Sequence, residues 1–168
     1  MKKSWICLSL VAGALLTALP ASAQEATKLQ AVLEPEVSAR ALLAPNGDVA
    51  PLFGAAALAY RLGPLYMGGA GYGGARYGER RGGMGYGGVI VGASSSFAGP
   101  AFFDARLLVG GGGGSVEGQG FGSMALEPSL GLGVVLPNAT KLSLTGGYLY
   151  MPNASDLSGA TVGLRFAY

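Results

Sequence analysis

The sequence contains no histidine, and its one cysteine and one tryptophan, Cys7 and Trp5, both lie within the first ten residues. Acyl-transfer and hydrolytic enzymes commonly use histidine as a general base, and none of the serines has a recognisable base partner. A metal site would have to rely on carboxylates alone. We therefore expect no enzymatic activity, no catalytic residues, and no bound metal or cofactor.

Long apolar runs are also missing, apart from one at the start of the chain. Two lysines precede an apolar stretch from Trp5 to Leu19, which is short for a membrane-spanning helix. Residues 20–23, with the sequence Pro-Ala-Ser-Ala, then offer a small-residue cleavage site. This pattern predicts a cleaved signal peptide over residues 1–23 rather than a membrane anchor. Residues 24–168 would form one domain that has no cysteine.

Charge is scarce and balanced. The whole chain has 11 basic and 9 acidic residues, but two of the lysines belong to the predicted signal peptide. This balance gives no support to nucleic-acid binding. Only 12% of the residues are charged and 50% are hydrophobic, which is unusual for a soluble domain. The apolar residues alternate with small or polar ones, as expected of transmembrane β-strands, which need about 9–11 residues each.

Eight alternating segments are separated by turn signals. The predicted strands are residues 29–43, 49–62, 65–75, 84–96, 101–110, 121–136, 141–150 and 157–168. An even number of strands places both ends of the domain on the same side of a membrane. The run from Gly111 to Gly114 is interpreted as a flexible loop. The third and fourth segments are too rich in glycine for their faces to be assigned.

Charged residues fall on one face of the segments that can be assigned. In the first segment, Glu34, Glu36 and Arg40 share a face opposite Leu33 and Val37. If the eight segments close into a transmembrane barrel, this face lines its lumen. The charges assigned in this way to the lumen are Glu34, Glu36, Arg40, Asp104, Arg106, Glu127 and Arg165, with Arg61 and Lys141 nearer the ends.

These lumen charges should pair, because an unpaired buried charge costs several kcal/mol. One interpretation is a salt-bridged network that holds the strands in register and blocks flow. Another is a narrow water path in which the charge pairs act as a gate. We expect Glu127 and Arg165 to belong to this network.

Aromatic residues cluster near the predicted strand ends, as in the girdles at membrane interfaces. The two expected groups are Tyr60, Tyr66, Phe97, Phe102, Phe103, Phe166 and Tyr168 on the periplasmic side, and Tyr72, Tyr77, Tyr86, Phe121, Tyr148 and Tyr150 on the outer side. A soluble β-sandwich would bury such residues in its core, but it would also need solvated outer faces. A disordered glycine-rich coat protein is the remaining alternative.

The chain ends in a distinctive spacing. Gly163 is followed three residues later by Phe166, and Tyr168 is the last residue. This spacing resembles the carboxy-terminal signal by which bacterial outer-membrane barrels are recognised for insertion. In its overall pattern, the predicted domain resembles the small eight-stranded outer-membrane barrels, the group that includes the OmpA transmembrane domain and the OmpX-like proteins.

The resemblance implies an all-β, antiparallel, up-and-down transmembrane barrel in the outer membrane of a Gram-negative cell envelope. It also implies lipid, lipopolysaccharide and the barrel insertion machinery as partners, and we expect a monomer. Fold alone does not fix function. The predicted role is a structural or surface one. A narrow porin-like pore for small solutes or ions is the alternative, and a soluble secreted binding protein is a more distant one.

Overall fold

The structure is a computed structural model that describes residues 28–76, 82–116 and 119–168. The predicted signal peptide, residues 1–23, and Tyr77 lie outside the described residues. Within the described ranges, no helix has the length and apolar character needed to cross a membrane.

Eight antiparallel strands in the described residues form one closed barrel in chain order. Their bounds are β1 Gln30–Leu43, β2 Val49–Leu62, β3 Leu65–Arg76, β4 Gly82–Ala98, β5 Ala101–Val116, β6 Gln119–Val135, β7 Lys141–Leu149 and β8 Gly159–Ala167. Each strand pairs with the next along the chain, and β1 pairs with β8 to close the sheet. The prediction of an eight-stranded up-and-down β-barrel is confirmed.

The outer surface of the barrel is apolar. Successive side chains of a strand point to opposite faces, so every second residue faces outward. Among the outward residues, Leu33 is 79% exposed, Phe53 67% and Leu144 59%. Large apolar residues stay exposed in this way on all eight strands. A closed sheet with such a surface suits a hydrocarbon environment, because closure leaves no unpaired strand edge.

The run from Gly111 to Gly114 lies in β5 and is not the flexible loop that the sequence predicted. Gly112, for example, pairs with Tyr86 on β4 and with Ser123 on β6. Glycine weakens a strand by about 0.5–1 kcal/mol relative to alanine. Here, however, a Cβ on Gly112 would lie 2.6 Å from Tyr86 Cβ. The strand therefore needs glycine at this position to let the tyrosine side chain lie against it.

The need for glycine beside an inward tyrosine also explains which faces of β3 and β4 point into the barrel. Their even-numbered residues face the lumen, where Tyr66, Tyr72 and Tyr86 are buried. Together with Phe102 on β5, these tyrosines were predicted to lie at the membrane interfaces, and that prediction is wrong for all four. The exposed aromatic residues are Phe53, Tyr60, Phe97, Tyr148, Tyr150, Phe166 and Tyr168. Phe121, which was also predicted at an interface, is partly buried and packs against the core.

Each of the four buried rings pairs with a glycine on an adjacent strand. The pairs are Gly54 with Tyr72, Gly92 with Tyr66, Gly112 with Tyr86, and Gly133 with Phe102. At all four glycines, an added Cβ would meet an atom of the paired aromatic side chain closer than real Cβ atoms pack. An eight-stranded barrel has an interior just wide enough for its side chains. Glycine therefore provides the space that each ring occupies.

This arrangement predicts that adding one methyl group at Gly92 destabilises the barrel. A Cβ there would lie 2.5 Å from Tyr66 Cζ and 2.6 Å from the Ala105 carbonyl oxygen. Overpacking of this kind costs about 1–3 kcal/mol, so Gly92→Ala should lower the free energy of unfolding by that amount. Gly71→Ala is the matched control, because no atom lies within 4 Å of its added Cβ. Denaturant titration in detergent would measure both variants, and an equal loss in both would contradict the steric explanation.

Candidate functional site

The inward side chains form successive layers along the lumen. We call the end where β1 begins and β8 finishes the terminal end, and the opposite end the loop end. Starting from the terminal end, the first layer is the mouth, formed by Glu34, Arg61 and Lys141. Glu34 Oε2 accepts hydrogen bonds from Lys141 Nζ at 2.8 Å and from Arg61 Nη2 at 3.2 Å. All three side chains are partly exposed, so the mouth is hydrated.

The next layer is the terminal cluster, formed by Glu36, Tyr66, Asp104, Arg106 and Arg165. Arg106 donates to both carboxylate oxygens of Glu36, at 2.7 and 2.9 Å, and its Nε donates to the Tyr66 hydroxyl at 3.0 Å. Tyr66 in turn donates to Asp104 Oδ2 at 2.6 Å. Arg165 Nη1 donates to Asp104 Oδ1 at 2.7 Å. Two cations and two anions are thus held together by charge-assisted hydrogen bonds.

The central cluster lies one layer further toward the loop end and consists of Arg40, Tyr72, Tyr86, Glu127 and Thr161. Glu127, which is only 2% exposed, accepts hydrogen bonds from Arg40 Nη1 at 2.7 Å, the Thr161 hydroxyl at 2.8 Å and the Tyr86 hydroxyl at 3.0 Å. Arg40 Nη2 donates to the Tyr72 hydroxyl at 2.8 Å. The Arg40 guanidinium carbon lies 4.0 Å from the centre of the Tyr72 ring, a favourable position for a cation–π contact.

All seven charged residues assigned to the lumen from the sequence therefore face inward, with ion-pair partners across the barrel. Glu127 and Arg165, which we expected in a common network, belong to different clusters. Glu127 pairs with Arg40, and Arg165 pairs with Asp104. The sequence analysis missed the tyrosines that link these charges. The signal that could have revealed them is the even spacing of Tyr66 and Tyr72, because the residues between them on the same face, Gly68 and Ala70, are small.

The loop end of the lumen is apolar, which the sequence analysis did not anticipate. We call the buried residues there the apolar plug: Leu42, Leu52, Met84, Leu149, Met151 and Leu157. The connection between β7 and β8 contributes two of them. It contains a 3-10 turn, Ser155–Leu157, and Met151 N donates to Ser158 Oγ at 2.9 Å. This connection thus turns Met151 and Leu157 into the barrel instead of projecting them outward.

A small cavity separates the mouth from the terminal cluster. It has about 20 Å³ of space for water, enough for about one or two molecules. Its polar lining includes Arg61, Asp104, Lys141, Ser143 and Arg165. In the part of the chain that the structure describes, no three acidic, histidine or cysteine side chains converge to hold a metal ion.

The residues of the expected insertion signal lie on both faces of β8. Gly163 faces inward and pairs with Arg40 across the seam between β1 and β8. A Cβ on Gly163 would lie 2.7 Å from Arg40 Cγ, so this glycine makes room for the arginine stem. Phe166 and Tyr168 are exposed on the outside of the barrel. Tyr168 N donates to the Pro35 carbonyl oxygen at 3.2 Å, which fixes the end of the chain against β1.

Comparison with solved structures identifies barrels of the same kind. The chain is similar to Neisserial surface protein A, with 14% sequence identity, a TM-score of 0.57, and coverage of 80% of this chain and 94% of that one. It is also similar to Ail, the attachment invasion locus protein of Yersinia pestis, with 15% identity, a TM-score of 0.56, and coverage of 81% and 95%. No protein-family model and no curated protein sequence matches the chain. The expected likeness to small eight-stranded outer-membrane barrels is confirmed at the level of the fold.

The expectation that the chain has no enzymatic activity has to be corrected. One of the matching structures is the outer membrane enzyme PagL, which shares 16% identity over 79% of this chain and 97% of that one. Barrels of this general kind therefore include an enzyme, and the exclusion of catalysis drawn from the sequence is withdrawn. The TM-score of 0.48 is too low for this match to assign an activity to the present chain.

Proposed function

We propose that the chain is an integral barrel of the bacterial outer membrane whose lumen is closed, and that it serves as a structural or surface component of the envelope. The observation that carries this proposal is the succession of buried layers inside the barrel. The terminal cluster, the central cluster and the apolar plug each join side chains from strands on opposite sides of the lumen. Fully buried groups at three successive levels oppose the passage of solutes.

The outside of the barrel supports the membrane part of the proposal. Its large exposed side chains are apolar on every strand, which suits contact with lipid tails. We propose that lipids and lipopolysaccharide surround this surface, and that the chain acts as a monomer. The predicted signal peptide would direct export, and the exposed Phe166 and Tyr168 would be available to the barrel insertion machinery.

Gel migration and bilayer recording of the refolded barrel in detergent test the proposal. The unheated protein is expected to migrate as a compact band that shifts after boiling, because a closed β-barrel resists the denaturing detergent. In a planar bilayer, we expect no discrete conductance steps.

Each alternative has its own outcome in these measurements. A heat-dependent shift together with reproducible conductance steps would contradict the closed lumen and favour the narrow gated pore. A protein that stays soluble without detergent and shows no shift would contradict the membrane proposal and favour a secreted β-rich protein.

A further inference from the structure

Two turns of the barrel share a sequence pattern and a backbone conformation. The turn between β1 and β2 has the sequence Pro-Asn-Gly-Asp over residues 45–48, and the turn between β6 and β7 has Pro-Asn-Ala-Thr over residues 137–140. In each turn the residue after the asparagine has a positive φ, 87° at Gly47 and 66° at Ala139. The first turn lies at the loop end and the second at the terminal end. The two turns are therefore a matched pair that differs in the residues after the asparagine.

The asparagine of the β1–β2 turn is held against the residues that follow it. Asp48 N donates to Asn46 Oδ1 at 3.2 Å, and Asn46 Nδ2 donates to the Asp48 carboxylate at 3.0 Å. A hydrogen bond to Oδ1 polarises the side-chain carbonyl, and its donor points at the oxygen that would carry charge if a nucleophile added to Cγ. This carbonyl carbon is thus activated close to the backbone nitrogen of Gly47.

The β1–β2 turn is also open to water. Asn46 and Gly47 are exposed, and no described atom lies within 4 Å of a Cβ added to Gly47. Gly47 N donates to the Ala44 carbonyl oxygen at 3.0 Å, and this bond lies at the surface, where water can replace it. Because glycine has no Cβ, its backbone turns freely and its nitrogen is not shielded by a side chain. The nitrogen can therefore reach Asn46 Cγ when the turn opens.

We propose that Asn46 is a site of spontaneous deamidation. Gly47 N loses its proton to water and attacks Asn46 Cγ, so that a new C–N bond forms. The bond between Cγ and Nδ2 then breaks, and ammonia leaves after taking up a proton from water. One water molecule opens the resulting cyclic imide at either carbonyl and gives aspartate or isoaspartate. The reaction needs no oxidant, reductant or enzyme, and it places a second carboxylate beside Asp48.

The β6–β7 turn is expected to stay unmodified, although its asparagine is held in the same way. Thr140 N donates to Asn138 Oδ1 at 3.2 Å, and Ala139 N donates to the Leu136 carbonyl oxygen at 2.9 Å. The methyl group of Ala139, however, restricts the backbone and crowds the attacking nitrogen, which opposes closure of the imide ring. Glycine after the asparagine is thus the feature that makes the loop-end turn reactive.

Peptide mapping of the refolded protein, incubated in warm and mildly alkaline buffer, tests this proposal. Circular dichroism confirms that the barrel stays folded, and mass spectrometry follows the peptides that contain the two asparagines. The Asn46 peptide is expected to gain the mass of an amide-to-acid conversion and to separate into aspartate and isoaspartate forms, while the Asn138 peptide stays unchanged. An Asn46 that remains intact in the folded protein, or that converts no faster than Asn138, would overturn the proposal.

Exchanging the residues after the two asparagines gives a second readout. Gly47→Ala should slow the conversion of Asn46 to the rate of Asn138, and Ala139→Gly should make Asn138 reactive. Both changes suit the fold, because alanine already adopts this conformation at position 139 and glycine adopts it without strain. Unchanged rates would contradict attack by the glycine nitrogen. If one variant does not fold, the other decides the question alone.

Discussion

Arg106→Met is expected to lower the free energy of unfolding by about 3–5 kcal/mol, because it removes one partner of a buried ion pair. Arg106 holds both carboxylate oxygens of Glu36 and also donates to the Tyr66 hydroxyl. Without it, Glu36 is left as a buried carboxylate, and Asp104 keeps only Arg165 as a cationic partner within 4 Å in the described part of the lumen.

The same substitution at Arg61 is the control. Arg61 pairs with Glu34 in the mouth, where both side chains are about a quarter exposed and Lys141 also contacts the carboxylate. Such partly hydrated pairs contribute about 0–1 kcal/mol, so Arg61→Met should cost no more than that. Reversible denaturant unfolding in detergent or vesicles would measure both variants. Equal losses would show that burial does not determine the strength of these pairs.

Glu127→Leu is expected to produce a loss of similar size, about 3–5 kcal/mol, because Arg40 would remain as a buried unpaired cation. Thr161 and Tyr86 would also lose the carboxylate that accepts their hydrogen bonds. The double variant Arg40→Met/Glu127→Leu removes both charges and replaces them with apolar side chains of roughly similar size. Replacing a buried pair by apolar residues is often nearly neutral, so the double variant should be more stable than Glu127→Leu alone.

The free energies of unfolding of the single and double variants together give the coupling energy between Arg40 and Glu127. Residues in direct contact show coupling energies of about 0.5–3 kcal/mol in double-mutant cycles. We expect Arg40 and Glu127 to couple within this range, and Arg165 and Glu127, which lie in different clusters, to couple less strongly. If the losses of unfolding free energy caused by Arg40→Met and Glu127→Leu alone simply added up in the double variant, the two residues would not act as a pair.

Several features of the fold follow from a period of two in the sequence. In β1, Glu36 and Arg40 alternate with Val37 and Ala39, and the structure places the charges inside and the small or apolar residues outside. The turn signals locate the strands well, since β2 has the bounds that the sequence predicted. Alternation is a local property, so it is visible without knowing which strands become neighbours.

The features that the sequence did not reveal depend on pairing between strands. Whether Tyr72 faces the lumen depends on Gly54, a residue on the neighbouring strand that leaves space for the ring. The diameter and stagger of the closed sheet determine which residue pairs with Glu127, and neither can be read from the sequence of a single strand. Met151 lies between the seventh and eighth predicted strands, and its burial depends on the folded path of residues 150–158.

The ion pairs of the lumen have a consequence for the number of strands. Arg40 on β1 reaches Glu127 on β6, Arg106 on β5 reaches Glu36 on β1, and Arg165 on β8 reaches Asp104 on β5. None of these pairs joins neighbouring strands, so each spans the interior. Barrel diameter grows with strand number, and an inserted hairpin would draw these partners apart. These ion pairs therefore favour a barrel of eight strands over a wider one, because only the smaller diameter keeps the partners in contact.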